Sequence, residues 1–311
     1  MKNTFKVDNP LLCDPESGIC ALPDTSTASG ETVNIEASDK PVRILYFTDP
    51  ICSSCWGIEP QLRKMKLEYG DHIDVEYRMG GLLPDWSYNS GGISKPSDVA
   101  HHWDEVSGHY DMPIDGDVWL EDPLDSSYPP SIAFKAAQMQ SHKKAVRFMR
   151  RIREMVFLEK KNISKWEHLG NAAAEVGLNT ARMKADYEGK AKELFQEDLN
   201  LARQLGVRGF PTLFFANADN QRVTLYGVRH YDNFEKNIQT LAPQTPKKAY
   251  EKTPKALFDH YSTLTTNEYA TLMEMERSQA EQALETLFEQ KLLQKVTTKN
   301  GDLWVGKSVR Y

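Results

Sequence analysis

No run of eighteen apolar residues occurs anywhere in this 311-residue chain, so no helical membrane span is expected. The opening Met1-Lys2-Asn3-Thr4-Phe5-Lys6-Val7-Asp8 has no apolar core of the kind an export signal carries. Basic charge is not in excess either. The 38 Lys and Arg side chains stand against 44 Asp and Glu, a formal charge of −6. That balance gives no global attraction for a polyanion, and nucleic acid is not expected as the principal partner. A Gly-x-Ser-x-Gly nucleophile elbow is also missing. Cysteine is scarce: Cys13, Cys20, Cys52 and Cys55 are the only four. They are too few to be the main source of stability. Without an export signal the chain is expected in the cytoplasm, where thiols are mostly kept reduced, so their spacing reads as chemistry or metal binding.

What is present is an ordinary globular composition, 40% hydrophobic and 26% charged, long enough for one large domain or two smaller ones. Residues 1–40 form an acidic leader, expected to be mostly irregular. The apolar run 42–47, stopped by Asp49-Pro50, predicts a buried strand. Leu62, Met65, Leu67 and Tyr69 then mark a helix ended by Gly70, and residues 73–79 alternate with period two. A Gly-, Ser- and Pro-rich loop follows over 80–97. From 97 to 205 the pattern is almost wholly helical, with Ile132, Phe134, Ala136, Met139, Val146, Phe148, Met149, Ile152, Met155 and Val156 as its apolar stripes. Strands are expected at 212–216 and 223–226, and a helix from about 232 to 241. Provided the second unit returns to the first, these pieces make one sheet with a helical insertion.

Residues 242–254 contain Pro243, Pro246 and Pro254 and are expected to form an exposed linker. A small module, 255–311, follows. Thr265-Thr266-Asn267-Glu268 and Ser278-Gln279-Ala280-Glu281 both spell capping boxes, the second opening a helix with Ala280, Ala283, Leu284, Leu287, Phe288 and Leu292 on one face. An Asn-Gly hairpin at Asn300-Gly301 completes a winged-helix-like order. Glu281, Glu285 and Glu289 on the polar side of the last helix would repel phosphate, which favours protein contact over DNA. Simple packing on the first domain is the alternative.

Cys52-Ser53-Ser54-Cys55 follows a buried strand and opens a helix, where unsatisfied N–H groups favour an anion. A thiol pKa lowered from about 8.5 makes a better nucleophile population and a better leaving group. Cys52 is therefore the attacking sulfur, expected to be accessible, and Cys55, one turn on, the resolving one. Half of a zinc site has the same spelling. The flanking strand and helix, Trp56, and Phe210-Pro211-Thr212 before a later strand favour the redox reading. A cis Pro211 would hold the Phe210 backbone near the thiols, ready to pair with an extended substrate; a trans proline at a strand edge is the plainer possibility. Cys13 and Cys20 form a second pair with three readings: a shuttle disulfide exchanging with Cys52 and Cys55, a structural pair, or a share in a four-thiolate zinc site. Acidic Asp14 and Glu16 would make this pair the less reactive one. Asp49 and Glu59 either relay a proton or raise a thiol pKa. His101, His102 and His109 are too irregularly placed for metal ligation, and no metal or cofactor is expected.

On these residues the chain resembles the DsbA-like branch of the thioredoxin superfamily, especially the FrnE-type dithiol oxidoreductases and the related SpxH (YjbH) adaptors. The similarity lies in Asp49-Pro50-Ile51-Cys52-Ser53-Ser54-Cys55-Trp56, Ala133-Phe134-Lys135-Ala136-Ala137, Lys160-Lys161-Asn162-Ile163 and Phe210-Pro211-Thr212-Leu213. The resemblance implies an α/β thioredoxin fold over residues 41–241 with a helical domain inserted at about 97–205, a cis Pro211, and Cys52/Cys55 as the redox couple. Trp56, Phe210, Pro211 and Thr212 are the expected substrate-binding residues. Residues 255–311 resemble the C-terminal domain of the adaptors. Two functions follow: a cytoplasmic dithiol-disulfide oxidoreductase acting on protein or peptide thiols and disulfides, or an adaptor that presents a redox-responsive regulator to the ClpXP protease.

Overall fold

The computed structural model of the protein describes residues 13–14, 17–21, 38–87 and 95–307. Within the leader, the described residues 13–14 and 17–21 form a hairpin that its composition does not predict. It supplies strands β1 (Cys13–Asp14) and β2 (Ile19–Ala21), which pair antiparallel with Cys13 opposite Cys20. Asp14 closes the turn, its carbonyl accepting the Gly18 N–H at 2.7 Å and its carboxylate the Ser17 N–H at 3.2 Å. Gly18 supplies the positive φ, +68°, that a side chain resists.

Strand β3 (Val42–Thr48) is buried at every residue except Arg43, as a central strand covered on both faces should be. The chain then forms α1 (Ser53–Gly57), α2 (Glu59–Tyr69) and β4 (Ile73–Met79), and β4 returns parallel to β3. The helical block follows as expected: α3 (Pro96–Tyr110), α4 (Val118–Glu121), α5 (Tyr128–Gln140), α6 (His142–Leu158), α7 (Trp166–Glu175), α8 (Thr180–Glu188) and α9 (Ala191–Gln204). Side-chain caps set two of its boundaries: Ser141 Oγ accepts the Lys144 N–H at 3.3 Å, and Asn179 Oδ1 that of Arg182 at 2.8 Å.

Next come β5 (Gly209–Phe210), β6 (Thr212–Ala216), β7 (Arg222–Tyr226) and α10 (Tyr231–Leu241). The second unit does return to the first. Strand β6 lies antiparallel to β3, Phe47 facing Thr212, and the sheet order is β4-β3-β6-β7. Two-residue β5 stands apart from that sheet and pairs instead with β2.

Residues 242–254 are not a free tether. The Lys248 N–H donates to Glu68 O at 2.9 Å, Tyr250 Oη donates to Leu272 O at 2.6 Å, and Thr245 is buried, so this segment is laid along α2. The remaining chain runs α11 (Pro254–His260), β8 (Thr263–Thr265), α12 (Thr266–Met273), α13 (Arg277–Glu289), β9 (Leu293–Thr298) and β10 (Gly301–Gly306). Its sheet order is β8-β10-β9. The first capping box is made, Thr265 with Glu268. The second is not, because α13 begins at Arg277 after Glu276 and places Ser278 inside the first turn. Of its expected apolar stripe Ala280 and Leu284 are buried, whereas Phe288 and Leu292 are 42% and 54% exposed.

A buried charge network joins this module to the rest. Glu268, with no exposed surface, accepts both Arg150 terminal nitrogens at 2.8 and 3.0 Å and lies 3.1 Å from Arg63 Nε. Arg63 also donates to Thr263 O at 2.6 Å, and Thr263 Oγ1 to Glu154. Removing one member of such a cluster leaves buried charge uncompensated. Glu268→Gln is expected to lower unfolding free energy by about 3–5 kcal/mol, read as a shifted urea midpoint; a change within error would mean that Glu268 is not what offsets the two guanidinium groups.

Candidate functional site: the Cys52–Cys55 pair beneath the leader strand

Cys52 is the N-cap of α1, and its Sγ accepts the Cys55 N–H at 3.1 Å. An N–H aimed at this sulfur stabilises its anion whenever the pair is reduced. The two cysteines are joined by a disulfide, with Cα atoms 5.1 Å apart. The sequence places these elements correctly but errs on access. Cys52, Ser53, Ser54, Cys55 and Trp56 have no exposed surface at all, because the leader strand lies over the site. Cys20 Sγ stands 3.5 Å from Cys52 Sγ and 3.4 Å from Ser54 Oγ. Cys20 is itself disulfide-bonded. Cys13 faces it in the backbone register, with its side chain outside the described residues.

The loop before Cys52 is held from three sides. The Cys52 N–H donates to Asp49 O at 3.2 Å, and Arg153 donates to the same carbonyl at 3.2 Å. Arg153, fully buried, also reaches Thr48 Oγ1 at 2.6 Å and Glu59 Oε1 at 2.7 Å. Asp49 accepts from the Ile51 N–H at 3.0 Å, the Leu82 N–H at 2.8 Å and Ser127 Oγ at 2.8 Å. Those contacts make Asp49 a brace for the loop. Burial alone would raise the Glu59 pKa, but Arg153, Arg63, Arg150 and Lys66 bring it below the ordinary value. Glu59 is thus held as the anion of an ion cluster, which is poorly suited to relaying protons. Beside Cys20, Ser54 Oγ and Tyr110 Oη are 2.8 Å apart, and burial pushes the tyrosine up to about 12.

Residues 45–236 match the family model described as Thioredoxin. Over 303 residues the chain is 32% identical to the ClpXP adapter protein SpxH of Halalkalibacterium halodurans, covering 96% of this chain and 97% of that protein. The SpxH of Bacillus subtilis is 28% identical over 270 residues, 85% of this chain and 89% of its own. The chain belongs to the SpxH family. Its fold also matches solved structures. A putative protein disulfide isomerase from Nitrosomonas europaea superposes with a TM-score of 0.58 at 21% identity, over 66% of this chain and 99% of its own. The cytosolic disulfide reductase DsbM from Pseudomonas aeruginosa gives 0.53 at 23%, over 65% and 98%.

Within this SpxH-family chain the other expected site residues fall into two groups. Phe210 is in β5, its peptide bond to Pro211 is cis, and its backbone pairs with Cys20. The strand face expected to receive a substrate is therefore occupied by the leader. Thr212 is buried and its hydroxyl donates to Gly209 O at 2.7 Å. Trp56 is wholly buried. Its indole N–H donates to Pro113 O at 3.1 Å, its ring stacks on Phe157 at 5.5 Å, and Arg150 lies over it at 4.3 Å, so it anchors the helical block beneath α1. Among the described residues no group of three or more side chains is arranged to hold a metal.

Sequence reasoning missed Arg153, Ser127 and Tyr110, whose roles exist only through partners far along the chain. It also missed Gly80, where a Cβ would stand 1.8 Å from Phe210 Cζ; a glycine beside a strand end was the available signal. No phosphate loop is expected from the sequence, although residues 301–308 carry the Gly-x-x-x-x-Gly-Lys-Ser spelling of one. Its first six residues are β10, paired on both sides, and so form no such loop.

Burial pushes the Asp49 carboxyl up from 3.8 to about 6, against the Leu82 and Ile51 N–H groups, the Ser127 hydroxyl and Arg153. The folded chain thus holds this proton more tightly than the unfolded one. Its stabilising contribution is complete below about pH 4 and is lost as pH rises through about 6, a difference of roughly 3 kcal/mol. Asp49→Asn is therefore expected to cost more stability at pH 4.5 than at pH 7.5 in paired urea titrations. A cost independent of pH would show that Asp49 titrates normally.

Proposed function

We propose that this chain is an adaptor that binds a redox-responsive regulator protein through its thioredoxin-like face and presents it to the ClpXP protease in the cytoplasm. The observation that carries this reading is extent. The Thioredoxin family model ends at residue 236, and the disulfide-enzyme structures account for only about two thirds of the chain, whereas the H. halodurans SpxH matches along 96% of it. Residues 255–311 are then part of what the protein is for. In this reading the chain comprises the leader 1–40, a thioredoxin-like domain 41–241 with its insertion at 97–205, the docked connector 242–254 and a winged-helix-like module 255–311. Burial of Cys52 also suits a face governed by binding more than one turning over freely. No helix among the described residues is long and apolar enough to cross a membrane.

A second reading, dithiol-disulfide exchange on protein or peptide substrates with Cys52 attacking and Cys55 resolving, is favoured by the N–H that Cys55 aims at Cys52 Sγ. One double variant separates the two. With Cys52→Ser/Cys55→Ser, purified ClpXP, the regulator and enough dithiothreitol to reduce the Cys20 disulfide directly, degradation is expected to proceed at the rate seen with the unaltered chain, while any insulin disulfide reduction catalysed by the chain disappears. No acceleration of degradation by either form would remove the adaptor reading. Reduction surviving in the double variant would take Cys52 and Cys55 out of the chemistry.

A further inference from the structure

The leader hairpin is seated more closely than an incidental crossing would require. Its β2 strand adds antiparallel to β5, Cys20 facing Phe210 and Ala21 facing Gly209. The turn is tied separately: the Val228 N–H donates to Gly18 O at 2.9 Å, and Arg229 donates to Ser17 O at 2.9 Å. Three glycines make the fit possible. A Cβ on Gly209 would lie 2.6 Å from Cys20 O, one on Gly227 2.4 Å from Ser17 O, and one on Gly18 2.7 Å from Val228 N. Those separations are shorter than side chains tolerate, so the body of the protein is shaped to receive this strand. Strand addition at an exposed edge is also how an extended peptide binds a folded domain. The occupied edge runs directly into Pro211 and ends at the redox pair.

We propose that Ile19–Ala21 is an in-chain substitute for an extended client segment, and that Cys20 is an intramolecular disulfide substrate of Cys52 whose reduction releases the strand and bares the β5 edge. This rests on the reading that the thioredoxin-like face binds clients. The chemistry begins with an external dithiol reducing the Cys52–Cys55 disulfide and becoming a disulfide itself. The Cys52 thiolate attacks Cys20 Sγ, a van der Waals contact away. A Cys20–Cys52 bond forms as the bond from Cys20 to its leader partner breaks, and that departing sulfur takes the electron pair and then a proton from water. Cys55 thiolate attacks Cys52 Sγ, restoring the Cys52–Cys55 disulfide and expelling Cys20 as thiolate. The net result is one external dithiol oxidised and one leader disulfide reduced, with the Cys52/Cys55 couple unchanged. Reduction removes the cross-link that constrains β2, leaving the two-residue pairing with β5 and the Val228 and Arg229 contacts to hold the hairpin unaided. Client access is thereby coupled to the thiol–disulfide balance.

The test uses the full-length chain with no client. Cys55→Ser leaves Cys52 without its resolving thiol, and alkylation with mass-spectrometric mapping is expected to find a Cys20–Cys52 bond in it. In the unaltered oxidised chain, less than one equivalent of dithiothreitol is expected to leave free thiols at Cys20 while Cys52 and Cys55 remain bonded. Amide hydrogen exchange at Val228, protected here by Gly18 O, is expected to speed by about tenfold or more on that reduction. Gly209→Ala, which opposes seating of the strand without touching a sulfur, is expected to raise Val228 exchange in the oxidised chain and to suppress the mixed disulfide; Arg229→Ala provides the same measurement should that variant fail to fold. Absence of a Cys20–Cys52 bond in Cys55→Ser would overturn the relay, and unchanged Val228 exchange on reduction would overturn release of the strand. Neither outcome depends on ClpXP, so the adaptor reading can fail or stand independently.

Discussion

A charge without water must be placed against partners, and in this protein helix α6 is where that requirement organises everything else. Arg153 has no exposed surface and its terminal nitrogens hold Thr48 Oγ1, Glu59 and the Asp49 carbonyl. That carbonyl also receives the Cys52 N–H, so the redox loop is positioned from the helical block and not from the sheet alone. One turn earlier on the same helix, Arg150 covers Trp56 and clasps Glu268. Insertion, active loop and C-terminal module thus meet on one helix. Substitutions there would be felt at all three, and their effects would not add independently.

This arrangement explains which parts of the molecule were legible in the sequence. Strand β3 was legible because Val42, Ile44, Tyr46 and Phe47 are buried on both faces, giving a continuous apolar run. The cap of α12 was legible because both members of the Thr265–Glu268 box are local. Strand β5 was not, since it has two residues and a partner nearly the whole domain away in sequence. Arg153 was not legible either, because its burial is explained only by its distant partners Glu59 and Thr48. The burial of Trp56 was not legible, because adjacency to the cysteines says nothing about which side of the helix an indole occupies. Burial of Cys52 was invisible for the same reason as β5: its cover is contributed by the leader.

The CxxC spelling draws attention to catalysis, yet the surroundings of that motif describe a face already engaged. A thiol pair that capped an open helix would meet any disulfide of suitable shape. Here Cys20, Ser54 and Tyr110 fill the approach, while relatives named as ClpXP adapters extend over nearly the whole chain. One geometry joins strand pairing and sulfur contact: backbone pairing of β2 with β5 sets the chain's own Cys20 beside Cys52.

The tip of the last hairpin is likewise turned inward. Thr298 pairs with Gly301, leaving Lys299 and Asn300 at the bend, and the Lys299 ammonium is shared between Asp104 and Asp117 at 2.7 Å each while Asn300 donates to Asp104 and to Ile114 O. A wing whose cations Lys295 and Lys299 are both neutralised by carboxylates of its own chain is poorly suited to enter the groove of a double helix. It acts instead as a hasp on the helical block, and the outer side of the module is left to Phe288, Leu292 and Val296.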